Sequence, residues 1–107
     1  MSPKEPLRLI VDFNYSGEKD GVVTVFLGSK QGDRTKLSHD VQRQFNAASV
    51  RPEEGLKVLL VEPRADLDEQ GVESDMEVLG TLHWVEDGWG WRASYLPEEL
   101  RWVPSAG

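Results

Sequence analysis

Apolar and polar residues alternate along much of this chain, the pattern of strands with one buried face. In residues 7–15, LRLIVDFNY, every second residue from Leu7 onwards is apolar. Residues 22–27, VVTVFL, are rich in the β-branched and aromatic residues that favour strands. Residues 16–21 are polar and contain glycine, so we predict a turn there that joins the two strands into a hairpin.

One segment, residues 37–48, shows a helical period. Its apolar positions recur as on one face of a helix: Leu37, Val41, Phe45 and Ala48. Ser38 is a suitable N-cap, and Asp40 would lie near the positive end of the helix dipole. We expect the helix to end before Pro52, because the residue that precedes a proline is driven towards extended geometry.

Residues 55–62, GLKVLLVE, have the strongest strand pattern because apolar residues fall on both faces. One face carries Leu56, Val58 and Leu60, and the other carries Leu59 and Val61. A strand with two apolar faces is predicted to be central, with one side covered by the helix. Pro63 cannot donate to a β-ladder, so the strand is predicted to end there.

The C-terminal part predicts a hairpin followed by two short elements. Residues 76–85 and 89–95 read as strands joined at Asp87–Gly88, a pair favoured in type I′ turns. Residues 96–100 read as a helical turn opened by a proline, and residues 101–103 as a last short strand.

These elements predict a single domain over residues 1–107, with residues 1–6 and 104–107 frayed. The fold class is mainly β with one helix: a small antiparallel sheet of five or six strands, or a partly open barrel. A two-layer α+β sandwich is the alternative. The string DGWGWRA at 87–93, followed by VPS at 103–105, resembles the tryptophan strand and following turn of SH3-like barrels. That resemblance implies an SH3-like barrel in the broad sense.

Composition narrows the classes of function. The chain has no cysteine, which excludes disulfides and thiolate metal sites. No apolar stretch approaches the roughly 20 residues of a membrane span, so we expect a cytoplasmic protein that does not enter a membrane. The net charge of −7 is uneven: residues 1–51 hold eight basic and six acidic residues, and residues 52–107 hold four and thirteen. This asymmetry allows self-association between the two halves as one hypothesis.

Nucleic-acid binding is not favoured. It requires a basic face that replaces the counterions of phosphate groups. The one candidate segment, SKQGDRTK, contains Lys30, Arg34 and Lys36 but is diluted by Asp33.

The stretch DLDEQGVESDME, residues 66–77, contains six carboxylates and no basic residue. Its pattern resembles an EF-hand calcium loop over these twelve residues, with Gly71 at the position of the sharp reversal. The ligands would be Asp66, Asp68, Gln70, the carbonyl of Val72, Ser74 through water, and Glu77. The flanking segments read as strands, so the resemblance implies weak calcium binding rather than an EF-hand fold. The alternative is a solvated loop between two strands.

Three of the four tryptophans fall in HWVEDGWGW, residues 83–91. A two-residue turn at 87–88 would pair Trp84 with Trp91 and His83 with Arg92. Trp84, Trp89 and Trp91 would then share one face, either as part of the core or as a protein-binding surface.

No catalytic signature is present. His39 and His83 stand in no nucleophile, metal or general-base motif. We therefore predict a non-enzymatic binding or accessory module that contacts another protein. A calcium-binding β domain and a self-associating domain are the alternatives, and no cofactor is expected apart from the calcium ion of the first alternative.

Overall fold

The computed structural model describes residues 6–13, 16–28, 37–85 and 90–105. These residues form seven strands, one α-helix and one 3₁₀ turn, which confirms a mainly β fold with one helix. In chain order the elements are β1 (Leu7–Ile10), β2 (Ser16–Lys19), β3 (Val22–Phe26), α1 (His39–Ala48), β4 (Lys57–Leu67), β5 (Glu73–Val85), β6 (Gly90–Tyr95), the 3₁₀ turn (Pro97–Glu99) and β7 (Arg101–Pro104).

The strands form one open sheet in the order β1-β4-β5-β6-β3-β2. β7 also pairs with β5, beyond the end of β6, so β6 and β7 lie one after the other along β5. The pairing of β1 with β4 is parallel and all the other pairings are antiparallel. The sheet is therefore mixed, which corrects the expectation of a purely antiparallel sheet.

The predicted N-terminal hairpin is wrong in its first strand. β3 pairs with β2, a segment predicted to be a turn, whereas β1 ends at Ile10 and pairs with β4. The turn of the real hairpin is Asp20–Gly21, with φ values of 54° and 76°. Such positive angles suit the Asp-Gly pair of a type I′ turn, so the local signal was present in the sequence.

β4 continues through Pro63, contrary to the prediction that this residue ends the strand. The register shifts between Glu62, which pairs with Met76, and Asp66, which pairs with Ser74. Arg64 lies in this irregularity with a φ of 55°. A bulge leaves residues outside the ladder, so a proline within it costs no ladder hydrogen bond.

The helix packs against one face of the sheet. It begins at His39, with Ser38 at the N-cap position but without a side-chain capping bond, and it ends before Ser49, whose φ is 55°. Its buried residues join the hydrophobic core, whose members include Leu9, Val25, Val41, Phe45, Leu60, Val78, Leu82 and Ala93. Within the ranges given above, no helix has the length and apolarity needed to cross a membrane.

Part of the C-terminal segment that was expected to fray is held in place. Pro104 belongs to β7 and pairs with Ser74. The backbone N–H of Ser105 donates to the carbonyl of Glu73 at 2.9 Å, and its hydroxyl donates to Asp75 Oδ1 at 2.5 Å.

Candidate functional site

The two faces of the sheet follow from its pairing register. Side chains alternate between faces along a strand, and directly paired residues share a face. Leu60 pairs with Val78 and with Leu9, and all three are fully buried, so they mark the core face that α1 covers. Their neighbours along the strands point the opposite way, to a face that we call the outer face.

Three large aliphatic residues form the apolar centre of the outer face. Leu59 pairs with Leu79, while Ile10 pairs with Val61, two residues beyond Leu59 on β4. Ile10 is 47% exposed and Leu79 is 45% exposed, with Leu59 half-buried between their strands. Val61 is fully buried but does not belong to the main core cluster, which agrees with its position on this face. We call Ile10, Leu59 and Leu79 the outer patch.

Polar contacts surround the outer patch. Arg101 contacts Glu77 Oε1 through both Nε, at 2.9 Å, and NH2, at 2.8 Å. On the opposite side, Lys57 Nζ donates to Thr81 Oγ1 at 2.6 Å. An apolar centre with a polar rim is the usual anatomy of a protein–protein interface.

Asp75 is a buried carboxylate on the same face, and it joins several elements. Its Oδ1 accepts hydrogen bonds from the hydroxyl of Ser105 and, at 3.0 Å, from the N–H of Arg64, while Arg8 lies 3.3 Å from Oδ2. The Ser105 and Arg64 hydrogen bonds, helped by the nearby arginine charges, lower the pKa of Asp75. These residues and Pro63 line a cavity of about 430 Å³. Because the polar contacts of Asp75 hold β1, β4, β5 and the C-terminal segment together, its role is structural.

His83 lies beyond Thr81 on the outer face and is fixed by Glu54. The ring Nδ1 donates to Glu54 Oε2 at 2.6 Å, and the backbone N–H of Trp84 donates to Glu54 Oε1 at 2.9 Å. The hydrogen bonds from Trp84 and His83 lower the pKa of Glu54. The segment is also anchored by the backbone, since Gly55 N–H donates to the carbonyl of Leu82 at 2.8 Å. The contact therefore holds the start of β4 against β5.

The predicted calcium ligands are not brought into one shell. Asp66 pairs with Ser74, and Glu77 lies three residues further along β5, so the two carboxylates point to opposite faces. Asp68 Oδ1 accepts the backbone N–H groups of Gln70 and Val72 at 2.9 and 2.8 Å, which closes the turn between the strands. The described ranges contain no group of three or more His, Asp or Glu side chains placed to hold a metal ion. Calcium binding here stays a prediction.

The tryptophan hairpin has the predicted register. Trp84 pairs with Trp91 and His83 pairs with Arg92. The two indole rings meet edge to face, with centroids 5.4 Å apart and planes at 66°. Trp91 packs against the hydrophobic core, and Trp84 is half-buried. Protein binding by this hairpin stays a prediction.

Several predicted positions lie outside the described residues: Trp89, the turn at 87–88, and the basic residues Lys30, Arg34 and Lys36. One aromatic residue that was not predicted as a site is well exposed. Trp102 of β7 pairs with Met76 on the face opposite the outer patch and is 53% exposed.

The outer patch was not predicted from the sequence, although part of its signal was visible. Leu59 and Val61 gave β4 a second apolar face. Ile10 breaks the apolar–polar alternation of its strand, and Leu79 does the same in β5. A search for apolar residues on the polar face of each strand would have found all four positions.

Comparison of this chain with protein-family models, curated proteins and solved structures found no match.

Proposed function

We propose that this chain is a non-enzymatic module that binds another protein through the outer patch. The observation that supports the proposal is the solvent exposure of Ile10 and Leu79 in the middle of a sheet. The exposed face of an antiparallel sheet is ordinarily polar, because its partner is water. A contiguous exposed apolar group with a polar rim is instead a feature of interaction sites.

The geometry around the patch fits binding better than catalysis. The described acidic groups nearest to it make structural contacts: Asp75 joins four segments, Glu77 is held by Arg101, and Glu54 anchors β4 to β5. A flat face with large aliphatic side chains suits a protein surface, whereas small substrates are held in concave pockets. A cytoplasmic location is part of the same proposal.

The test compares two aspartate variants in capture of cellular proteins by cross-linking to the purified chain. Leu79→Asp places a charge in the centre of the outer patch, where desolvating it would oppose binding. Leu67→Asp is the matched control, because Leu67 is 63% exposed but lies at the end of β4, outside the patch. We expect Leu79→Asp to reduce capture by at least about tenfold, the effect of roughly 1.4 kcal/mol.

Both variants should keep the melting temperature of the wild-type chain, which circular dichroism measures. Equal capture by the wild-type chain and Leu79→Asp would exclude the outer patch as the binding surface. Loss of capture in both aspartate variants would point to a general effect of added negative charge.

A further inference from the structure

We infer that the partner of the outer patch is a second copy of this chain, with the two outer faces stacked as a β-sandwich across a two-fold axis. The inference rests on the proposed function and names the partner of the same surface. It is carried by the order of residues along β4 and β5.

The outer face has a symmetric arrangement about the Leu59–Leu79 row. On one side the next paired row is Lys57 with Thr81, and on the other side it is Val61 with Glu77. Sheets that pack face to face lie about 10 Å apart with nearly aligned strands. A two-fold axis that runs across the strands through the leucine row therefore stacks leucine on leucine. It also places each Lys57 row opposite the Glu77 row of the second copy.

The charges of these two rows are complementary. Lys57 is a cation that donates to a neutral hydroxyl, that of Thr81. Glu77 receives both contacts from Arg101 on Oε1, which leaves Oε2 for a further donor. In the stacked arrangement Lys57 of each copy reaches towards Glu77 of the other. A two-fold axis makes this contact twice.

The same arrangement explains why a second copy fits better than a partner with one sign of charge. A uniformly acidic segment would match the Lys57 side and face Glu77 on the other, and a basic segment would do the reverse. The sheet is also wide enough. Six strands about 4.8 Å apart and β4 at about 3.3 Å per residue give a face of roughly 1,000 Å². A stable interface needs about 800 Å² from each partner.

The experiment is sedimentation equilibrium of the purified full chain, from about 1 μM to about 1 mM. We expect the mass to rise from monomer to dimer with concentration. Leu79→Asp should raise the dissociation constant by about thirtyfold or more, as a residue at the centre of an interface does. Leu67→Asp should leave it unchanged. A monomer at every concentration, or equal dimerisation of wild type and Leu79→Asp, would overturn the inference.

A charge exchange tests the orientation of the two copies. Lys57→Glu and Glu77→Lys should each weaken dimerisation by about fivefold, because each creates two like-charge contacts. An equimolar mixture of the two variants should restore it. In the mixed dimer one contact joins the two introduced side chains, which have opposite charges, and the other is the native pair of Lys57 with Glu77.

Failure of the mixture to form a heterodimer would exclude this stacking. The readout does not depend on the role of Glu77 within its own chain, because the two variant chains are the same when measured alone and when mixed.

The two proposals can fail separately. If the chain is monomeric throughout but Leu79→Asp abolishes capture of a different protein, self-association is excluded and the outer patch remains a protein-binding surface. If dimerisation follows the predicted pattern, the patch binds protein and its partner is identified.

Discussion

Gln44 of α1 pairs with the backbone of Ile10 as a neighbouring strand would. The N–H of Ile10 donates to Gln44 Oε1 at 2.6 Å, and Gln44 Nε2 donates to the carbonyl of Ile10 at 2.9 Å. β1 is an edge strand of the sheet, and an open edge is a template for pairing with other chains. The side-chain amide therefore covers the end of this edge.

Gln44→Ala should uncover the edge of β1. We expect a loss of about 1–2 kcal/mol in the free energy of unfolding, the value of two hydrogen bonds, and faster aggregation on warming. Urea denaturation and light scattering measure the two effects. Gln42→Ala is the control, because Gln42 bonds to Asn46 within the same helix. If both variants behave alike, the edge contact has no special role.

Asp75 should make the fold sensitive to acid. Hydrogen bonds from Ser105 and the Arg64 backbone lower its pKa in the folded state. The unfolded carboxyl, with a pKa near about 3.9, therefore takes up its proton first as the pH falls. The stabilisation is fully present above that pH and is lost as the pH drops through the folded pKa.

Asp75→Asn should accordingly lower the melting temperature by several degrees at neutral pH, and the difference from wild type should shrink below about pH 4. Differential scanning calorimetry across the pH range measures this. Asp66→Asn, which changes an exposed carboxylate on β4, serves as the control. A constant difference at every pH would show that the charge of Asp75 is not the cause.

Gly80 allows close packing between β5 and the core. A Cβ at this position would lie 2.8 Å from Leu60 Cδ1 and 3.4 Å from the carbonyl of Ser94. Leu60 is fully buried and has no room to move. Gly80→Ala should therefore reduce the free energy of unfolding by about 1–3 kcal/mol. In Gly17→Ala the nearest atom is Phe26 Cζ at 3.9 Å, so urea denaturation should show no loss there.

The edge-to-face contact of Trp84 and Trp91 should give a measurable coupling energy. A double-mutant cycle with alanine at each position is expected to yield about 0.5–1.5 kcal/mol beyond the sum of the single changes. Trp91→Ala should be the costlier single change, because Trp91 packs against the core. Strict additivity would mean that the rings do not interact in solution.

The hairpin at 66–77 should not respond to calcium while its strands stay paired, since Asp66 and Glu77 point to opposite faces. We expect superimposable amide NMR spectra with excess chelator and with about 10⁻³ M calcium, the range of weak calcium sites. Shifts confined to residues 66–77, largest at Gly71, would instead establish the site that the sequence pattern predicted.

Features that depend on neighbouring residues were predictable from the sequence. Alternation identified most strands, a helical period identified α1, and the pairing of Trp84 with Trp91 followed from a short turn. The same local reasoning places a turn at Asp20–Gly21 once residues 16–19 are assigned to a strand. Polarity misled here because β2 is an edge strand, which needs few apolar residues.

Features that depend on distant contacts were decided by the tertiary structure. The parallel pairing of β1 with β4, the bulge that carries β4 past Pro63, and the burial of Asp75 all join segments far apart in sequence. The sequence by itself determined that Leu59 and Val61 face away from Leu60, because side chains alternate along any strand. Only the tertiary structure decided that the helix packs on the Leu60 side and leaves Leu79 in solvent, since coverage of a face depends on which element packs against it.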